Sequence, residues 1–338
     1  MENIFNYTKI GLEEKLVALG LKKFVASQVI DWVYQKNVYN PDEFLNINLQ
    51  TRELLKESFS FEFIKIEKVE EDSLVKKFLF RLLDGQKIEA VLMYHDYGLS
   101  LCVSSQVGCN MGCKFCESGR LKKVRDLESY EMVQQIILAS KYANKKINSV
   151  VVMGIGEPFD NYDNVMNFVK IINDPKMLEI GARHITISTC GLVPKIEKFA
   201  GEGLQVNLAL SLHAPNDVIR NQIMPISRAY PLDEVMKSLK AYIEKTGRRV
   251  TIEYVMLKGV NDSKKCALEL ANLLKGMNVY VNLIPYNETS HIEFKASDKK
   301  NIDEFFDVLK QNRVDVTVRK KFGDNISAAC GQLRSKEI

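Results

Sequence analysis

From residue 100 onward, short apolar segments alternate with amphipathic ones, and this rhythm limits what the chain can fold into. The apolar segments are rich in Val, Ile and Leu, which indicates buried strands. They cover residues 100–105, 149–153, 185–189, 206–212, 250–257 and 279–285. Helical periodicity occurs between most of them, for example at residues 130–142, 161–172, 232–245 and 264–274. Strands joined through helices pair in parallel, so we predict an α/β fold. Six such units suit a partial (β/α)6 barrel, although an open doubly wound sheet fits the same count. Residues 314–318 are a candidate last strand.

The first 60 residues have helical rather than alternating spacing. Three short helices are predicted at residues 11–19, 23–35 and 49–59. We assign Trp32 and the aromatic side chains near it to the core of this module rather than to a base-stacking surface, because large aromatic residues are mostly buried.

A hairpin is predicted next, because two strand-like runs at residues 77–83 and 87–93 flank the turn-forming pair Asp84-Gly85. Glu89 lies in the second run, and its spacing alone favours a solvated carboxylate. We therefore expect four parts: a helical accessory domain at 1–60, a β-hairpin and linker at 61–97, an α/β core at 98–333 and a tail at 334–338.

Three cysteines, Cys109, Cys113 and Cys116, follow the first core strand at C-x3-C-x2-C spacing. Gly108 and Gly112 allow a loop to wrap tightly around them. A zinc site usually takes four protein ligands, and no fourth Cys or His lies nearby in the sequence. An iron–sulfur cluster with three cysteine ligands leaves one iron open for another molecule. Inert buried thiols are the alternative, but chance rarely packs three of seven cysteines into one loop.

Small and polar residues follow the other core strands. Gly154-Ile-Gly-Glu-Pro158 comes after the second strand, and Ser188, Ser211, His213 and Asn287 come at the ends of later ones. Each alone is more often a turn residue, a helix cap or a structural histidine. Because the carboxyl ends of parallel strands meet at one edge of a sheet, we expect these groups to share a ligand site.

The cysteine loop resembles that of the radical S-adenosylmethionine (SAM) enzymes, and the preceding Leu101-Cys-Val-Ser-Ser-Gln106 is similar to the RlmN/Cfr family of RNA adenine methyltransferases. The resemblance covers nearly the whole chain. Its further matching segments are 154–158, 211–216, 225–228, 259–262, 282–287 and 330–333. Pro158 and the run at 207–210 match the RlmN branch more than the Cfr branch, which favours methylation at carbon 2 of adenine over carbon 8.

The resemblance implies two cofactors, a 4Fe–4S cluster and SAM, with two SAM molecules used per turnover. The cluster would be held by Cys109, Cys113 and Cys116, and SAM would bind to the open iron. The residues implied to contact SAM are Gly156, Glu157, Ser188, Ser211, Leu212, His213 and Asn287.

The resemblance also implies roles for two further cysteines and one acid. Cys330, in Ala328-Ala-Cys-Gly-Gln-Leu333, would accept a methyl group from the first SAM. A 5′-deoxyadenosyl radical from the second SAM would remove hydrogen from that methyl group, and the carbon radical would add to the electron-poor carbon 2 of adenine. Cys102 would resolve the adduct by forming a disulfide with Cys330. The base that removes the carbon-2 proton is either Cys102 or Glu89.

Composition fits this reading without deciding it. The chain has 338 residues with 46% hydrophobic and 27% charged content, as in a soluble globular protein, and its net charge of +4 is compatible with RNA. No apolar run has membrane-spanning length, and the first residues lack a signal-peptide pattern, so we expect a cytoplasmic protein. The implied partners are 23S rRNA, tRNA beside the anticodon, and a reductant such as flavodoxin or ferredoxin. We expect a monomer.

One segment departs from the family pattern. After Cys116 the chain reads Glu117-Ser-Gly-Arg-Leu-Lys-Lys-Val-Arg-Asp-Leu127, where the family has an Ala/Ser-Thr pair and a Gly-Phe pair. Its cations could hold phosphates or form a solvated charged loop. The alternatives to a carbon-2 methyltransferase are therefore a Cfr-like carbon-8 methyltransferase and a divergent paralogue that has another RNA target or only binds RNA.

Overall fold

The computed structural model describes residues 1–289, 291–319 and 333. Within these residues, ten strands form one mixed sheet. They are β1 Lys65–Asp72, β2 Val75–Arg81, β3 Lys87–His95, β4 Gly98–Val103, β5 Ser149–Val152, β6 Ile185–Thr189, β7 Asn207–Ser211, β8 Val250–Met256, β9 Val279–Pro285 and β10 Val316–Val318. The strands β1 to β4 pair antiparallel, and β4 to β10 pair in parallel.

The strand order decides between the two predicted architectures. From β4 to β10 each strand pairs with the next one in the chain, without reversal. A doubly wound sheet reverses its order at a switch point, whereas a barrel does not. The sheet is therefore that of a parallel partial barrel, and the α/β prediction is confirmed. Among the described residues, β1 and β10 are the two edges and do not pair, so the barrel is open.

Helices connect the parallel strands and form the module at the N-terminus. Their bounds are α1 Lys9–Ala18, α2 Phe24–Ile30, α3 Leu49–Ser58, α4 Ser129–Ala143, α5 Tyr162–Asn173, α6 Val193–Phe199, α7 Asp217–Ile223, α8 Leu232–Thr246, α9 Lys264–Leu273 and α10 Lys299–Gln311. The predicted helix at 23–35 is divided, because α2 continues as a π-helical turn over Asp31–Gln35. Trp32 is half-buried and stacks on Phe44 with ring centroids 5.6 Å apart.

One strand was missed by the hairpin prediction. The β1 segment pairs with β2 along the edge of the sheet, so the predicted hairpin is a three-stranded antiparallel extension. Its sequence, Lys-Ile-Glu-Lys-Val-Glu-Glu-Asp, has few apolar residues. Charged side chains on an edge strand protect it from pairing with other chains, and they also hide it from hydrophobicity patterns.

The two faces of the parallel sheet differ in polarity. One face packs against the helices, and its side chains are fully buried in the main core, as for Ile187, Leu208, Ile252 and Val281. The opposite face is polar and carries Ser188, Ser211, Glu253 and Asn282 at neighbouring positions of β6 to β9. We call this polar face the inner face. No described helix is long and apolar enough to cross a bilayer.

Candidate active site

The cysteine loop lies between β4 and α4 and is held by its own backbone. Gly108 and Gly112 both have positive φ angles, of 77° and 66°. A Cβ atom on Gly108 would lie 2.2 Å from the carbonyl oxygen of Lys122, so only glycine allows the two limbs of the loop to pack. The Cys109 N–H donates to the carbonyl of Leu121 at 2.9 Å, and the loop is thus closed around its thiols.

The three thiols of Cys109, Cys113 and Cys116 line one cleft at the carboxyl ends of the parallel strands. In the described part of the chain, no three His, Cys, Asp or Glu side chains are grouped closely enough to hold a single metal ion. A cluster needs a different arrangement, because each thiolate binds a different iron. Burial raises the pKa of Cys109 to about 12, and burial together with the nearby Cys116 and Cys109 thiols raises the pKa of Cys113 well above its ordinary value. Metal binding must therefore displace protons from these thiols.

The Gly154–Pro158 turn packs against the start of the cysteine loop. A Cβ atom on Gly154 would lie 2.7 Å from the carbonyl oxygen of Val103. Gly156 has a φ angle of 111°, and a Cβ there would lie 2.7 Å from the Cβ of Gln106. Both glycines also line the cleft. They bring the turn against β4 and so position the residue between Gly156 and Pro158.

That residue, Glu157, is 4% exposed and lines the cleft. Its Oε1 accepts the N–H of Phe159 at 3.1 Å, and its Oε2 accepts the N–H of Cys190 at 2.9 Å. Burial raises the pKa of Glu157 in spite of these hydrogen bonds. A carboxylate held in this way can accept further hydrogen bonds from a cation in the cleft, such as an ammonium group.

The predicted residues at the other strand ends also reach this cleft. Ser188 and Ser211 line it with hydroxyl oxygens 3.1 Å apart. Asn287 is 9% exposed, and its Oδ1 has no hydrogen-bond partner within residues 1–289 and 291–319 or at 333. A buried amide oxygen without a partner is costly, so a ligand that donates to it fits this position. Leu212 is different, because its side chain is fully buried in the main core and does not line the cleft. Strand alternation explains this, since Leu212 points away from the face that Ser211 shares.

His213 is buried in the cleft wall with a φ angle of 57°, a backbone conformation that is uncommon outside glycine. Its Nδ1 accepts the N–H of Val255 at 3.1 Å, and Asn261 donates to its carbonyl at 2.8 Å. Burial and the charge of Arg220 lower the pKa of His213 to about 3. The ring is therefore neutral, and Nε2 carries the proton.

Cys190 at the cleft and the buried Arg220 bonded to it are among the residues that were not identified from the sequence. Cys190 lines the cleft directly after β6. Arg220 on α7 is fully buried, and its Nη2 donates to the carbonyl of Cys190 at 2.7 Å. The position of Cys190 at a strand end was a usable signal. Nothing in the sequence around Arg220 indicates a buried cation.

Cys102 and Glu89 lie beside the cleft, on the continuation of the inner face into the antiparallel strands. Cys102 pairs with Val91, two residues from Glu89 on the same strand and therefore on the same face. Glu89 is 2% exposed, so the expectation of a solvated carboxylate is wrong. Its Oε1 lies 3.5 Å from Lys77 Nζ, a cation from the neighbouring strand that spacing within one strand cannot reveal.

The C-terminal segment reaches this region at Leu333. Its side chain is 5% exposed and belongs to a small apolar cluster that includes Cys102 and Ile155. Its carbonyl accepts the hydroxyl of Ser118 at 2.9 Å, two residues after Cys116. Cys330 lies outside the described residues.

Comparisons with known proteins agree with this geometry. The model of the radical SAM superfamily matches residues 103–271, and that of the ribosomal RNA large subunit methyltransferase N-terminal domain matches residues 2–60. A relative from Spiroplasma citri, named a probable dual-specificity RNA methyltransferase RlmN, is 54% identical over 99% of this chain and 98% of its own length. One of the same name from Enterococcus faecalis is 52% identical over 100% and 97%. The crystal structure of a radical SAM methyltransferase from Sphaerobacter thermophilus superimposes with a TM-score of 0.94 at 40% identity, over 99% of this chain and 100% of that one.

The chain belongs to the RlmN family of radical SAM RNA methyltransferases. Membership implies a 4Fe–4S cluster and SAM as cofactors. The cleft fits both, because it is lined by three thiols and by the Glu157 carboxylate, and because the buried amide oxygen of Asn287, another lining residue, has no hydrogen-bond partner among the described residues. Both cofactors are therefore consistent with the donors present.

In the charged segment after Cys116, two of the four cations form ion pairs within the protein. Lys123 pairs with Asp126 and Asp160, both at 2.8 Å, and Arg125 pairs with Asp84 and Glu131, both at 2.7 Å. These pairs hold the loop against its surroundings. The alternative that Lys123 and Arg125 hold phosphates is disfavoured, because their charges are already engaged.

Proposed function

We propose that this RNA methyltransferase methylates carbon 2 of a specific adenosine in 23S rRNA, and of an adenosine beside the anticodon in tRNA. Cys109, Cys113 and Cys116 hold the cluster, and the cleft residues named above hold SAM. The proposed parts of the chain are those expected from the sequence, with residues 1–60 as an RNA-binding accessory domain and 98–333 as the catalytic core. The protein acts as a monomer that receives electrons from flavodoxin or ferredoxin.

The main support for the proposal is the set of contacts that Leu333 makes. Leu333 packs in one apolar cluster with Cys102, and its carbonyl is bound by Ser118 beside the cluster loop. Two residues separate Leu333 from Cys330 in the sequence. The packing of Leu333, which belongs to the same Ala-Ala-Cys-Gly-Gln-Leu motif as Cys330, against Cys102 supports a shared role of the two cysteines in the reaction.

In the proposed reaction the thiolate of Cys330 displaces the methyl group from a first SAM and so becomes the methyl carrier. When bound, the cluster and a second SAM supply the one-electron chemistry that removes hydrogen from this methyl group. The methyl carbon then bonds to carbon 2 of the adenine, the same one-electron chemistry would take back the unpaired electron of the adduct, and a base accepts the carbon-2 proton, which restores the aromatic ring. The thiolate of Cys102 attacks the sulfur of Cys330, the bond between that sulfur and the methylene carbon breaks, and the carbon keeps the electron pair and takes up a proton, which releases the methylated RNA and leaves a disulfide. Glu89 and Cys102 share the inner face beside this site, and both are candidates for the base.

The experiment that tests the proposal is mass spectrometry of rRNA and tRNA from a strain that lacks this gene. We expect 2-methyladenosine to disappear and to return with the wild-type gene but not with Cys330→Ala. Unchanged 2-methyladenosine, or loss of 8-methyladenosine instead, would refute it. Separate digestion of the rRNA and tRNA pools tells whether both are substrates.

A further inference from the structure

A row of alternating charges crosses the first three strands of the sheet and ends at Glu89. Lys68 Nζ lies 3.1 Å from Glu70 Oε1, Glu70 Oε2 lies 2.9 Å from Lys77 Nζ, and Lys77 Nζ lies 3.5 Å from Glu89 Oε1. The exposed fraction of the side chains falls along this row, from 53% at Lys68 and 34% at Glu70 to 8% at Lys77 and 3% at Glu89. The row thus leads from solvent to the face that carries Cys102.

The burial of the Lys77 ammonium group is unfavourable for folding. Its backbone pairs with Val91, and Val75 and Val91 around it belong to the apolar cluster of Cys102 and Leu333. Burying an ammonium group costs several kcal/mol unless it is paired, and apolar residues in place of a buried ion pair often stabilise a protein as well or better. Folding alone therefore gives no reason for a lysine here.

The two ion-pair distances of Lys77 differ in a way that would allow Glu89 to act as a base. Its shorter contact, 2.9 Å, is to Glu70 at the rim, and its longer contact, 3.5 Å, is to Glu89. A carboxylate buried without a cation takes up a proton and stops being a base. A tight charged hydrogen bond would instead stabilise the carboxylate and lower its basicity. An ammonium group anchored by Glu70 and held slightly away from Glu89 avoids both outcomes.

We propose that Lys77, anchored by Glu70, is a positioning residue that keeps Glu89 ionised and directed at the adenine, and that Glu89 is the base of the reaction. This inference rests on the proposed function. In the step concerned, the adduct has already given up its unpaired electron to the one-electron chemistry that the cofactors would supply; the carboxylate of Glu89 takes the carbon-2 proton, the bonding electron pair stays in the ring, and Glu89 becomes a carboxylic acid. The covalent bond between the RNA and Cys330 can break only after this step, so a weakened base leaves the protein–RNA adduct in place.

The test compares Lys77→Met with Lys77→Arg in reconstituted full-length protein, using an RNA fragment with deuterium at carbon 2 of the target adenine. We expect Lys77→Met to methylate Cys330 and cleave SAM at wild-type rates, but to resolve the adduct at least about tenfold more slowly, the lower part of the range for a general base. The adduct should accumulate on a denaturing gel, and deuterium should slow its resolution more than in wild type. Lys77→Arg should restore resolution.

Lys76→Met is the matched control, because Lys76 is the neighbouring lysine on β2, points to the opposite face and pairs with Glu71. We expect it to behave as wild type. If Lys77→Met does not fold, Glu70→Gln decides, since Glu70 lies at the rim and its loss should slow resolution in the same direction. Normal resolution in a folded Lys77→Met or in Glu70→Gln overturns the inference, with Cys102 then the base. A wild-type protein that forms neither adduct nor 2-methyladenosine overturns the proposed function instead.

Discussion

Replacing Glu157 with Gln tests the SAM site most directly, because it removes one charge and almost no volume. Each carboxylate oxygen accepts one backbone N–H, from Phe159 and from Cys190. A glutamine has one oxygen and one NH2 group, so in either orientation one of these N–H groups faces another donor. The substitution also removes the cost of burying a charge, which is the cost that raises the pKa of Glu157. These two effects on folding oppose each other, and we expect the variant to fold.

The effect on SAM binding has no such compensation. In the proposed complex, a charged hydrogen bond between the Glu157 carboxylate and the SAM ammonium group would contribute about 1.5–3 kcal/mol, which corresponds to about 10- to 150-fold in affinity. We expect the dissociation constant of SAM to rise by this factor. It can be measured by calorimetry on anaerobically reconstituted protein, with iron content matched to wild type.

Glu131→Gln is the control for this experiment. Glu131 is 1% exposed and also accepts a backbone N–H, from Glu128 at 2.9 Å, but it pairs with Arg125 and does not line the cleft. It should lower stability and leave SAM affinity unchanged. If Glu157→Gln binds SAM as tightly as wild type, or if both variants weaken binding equally, the assignment of Glu157 to the ammonium group is refuted.

Three further predictions follow from the geometry of the cleft. Gly154→Ala should lower the unfolding free energy, measured by urea unfolding, by about 1–3 kcal/mol, because the new Cβ meets the Val103 carbonyl. Gly203→Ala is the control: Gly203 has a φ angle of 67° but open space around it, so only about 1 kcal/mol should be lost. His213 is neutral in the folded apo protein down to a pKa of about 3 but protonates near 6.5 when unfolded, so stability should fall as pH falls below 6.5, by about 2 kcal/mol at pH 5. His213→Asn, which tolerates the positive φ angle, should remove that slope in unfolding curves recorded between pH 5 and 7.5. Arg220→Met should lower the unfolding free energy by about 1.5–3 kcal/mol, because the hydrogen bond to the Cys190 carbonyl is lost. It should also make the reduction potential of the cluster more negative in an EPR-monitored titration, because a nearby positive charge is removed. Equal potentials in Arg220→Met and in the charge-conserving Arg220→Lys would show that this charge does not act on the cluster.

Much of the fold is legible in the sequence because strand and helix segments have clear apolar periods. The predicted strands at 185–189 and 279–285 match β6 and β9 in full, since both are β-branched runs with turn residues at their ends. The short α6, with Pro194 at its start, was not predicted because seven residues give too little periodicity. The thiol loop and the polar strand ends indicated the cleft, since parallel strands bring their carboxyl ends together.

Contacts between segments that are distant in the sequence could not be predicted. Glu89 was misjudged because the cation that allows its burial, Lys77, lies on another strand. Arg220 was missed because its partner is a backbone carbonyl, which leaves no pattern. Leu212 was included through the match of its neighbours, although strand alternation directs its side chain into the core.

The hydrogen bond from Ser118 to Leu333 joins two segments that are 215 residues apart. Coupling between two such sites is reciprocal, so any ligand that fixes one of them reduces the entropy lost in fixing the other. Filling the metal site next to Ser118 should thus protect the end of the chain against carboxypeptidase, and trimming that end should make iron easier to extract with a chelator. The extent of carboxypeptidase digestion would then report the metal content of the protein, without any substrate or turnover.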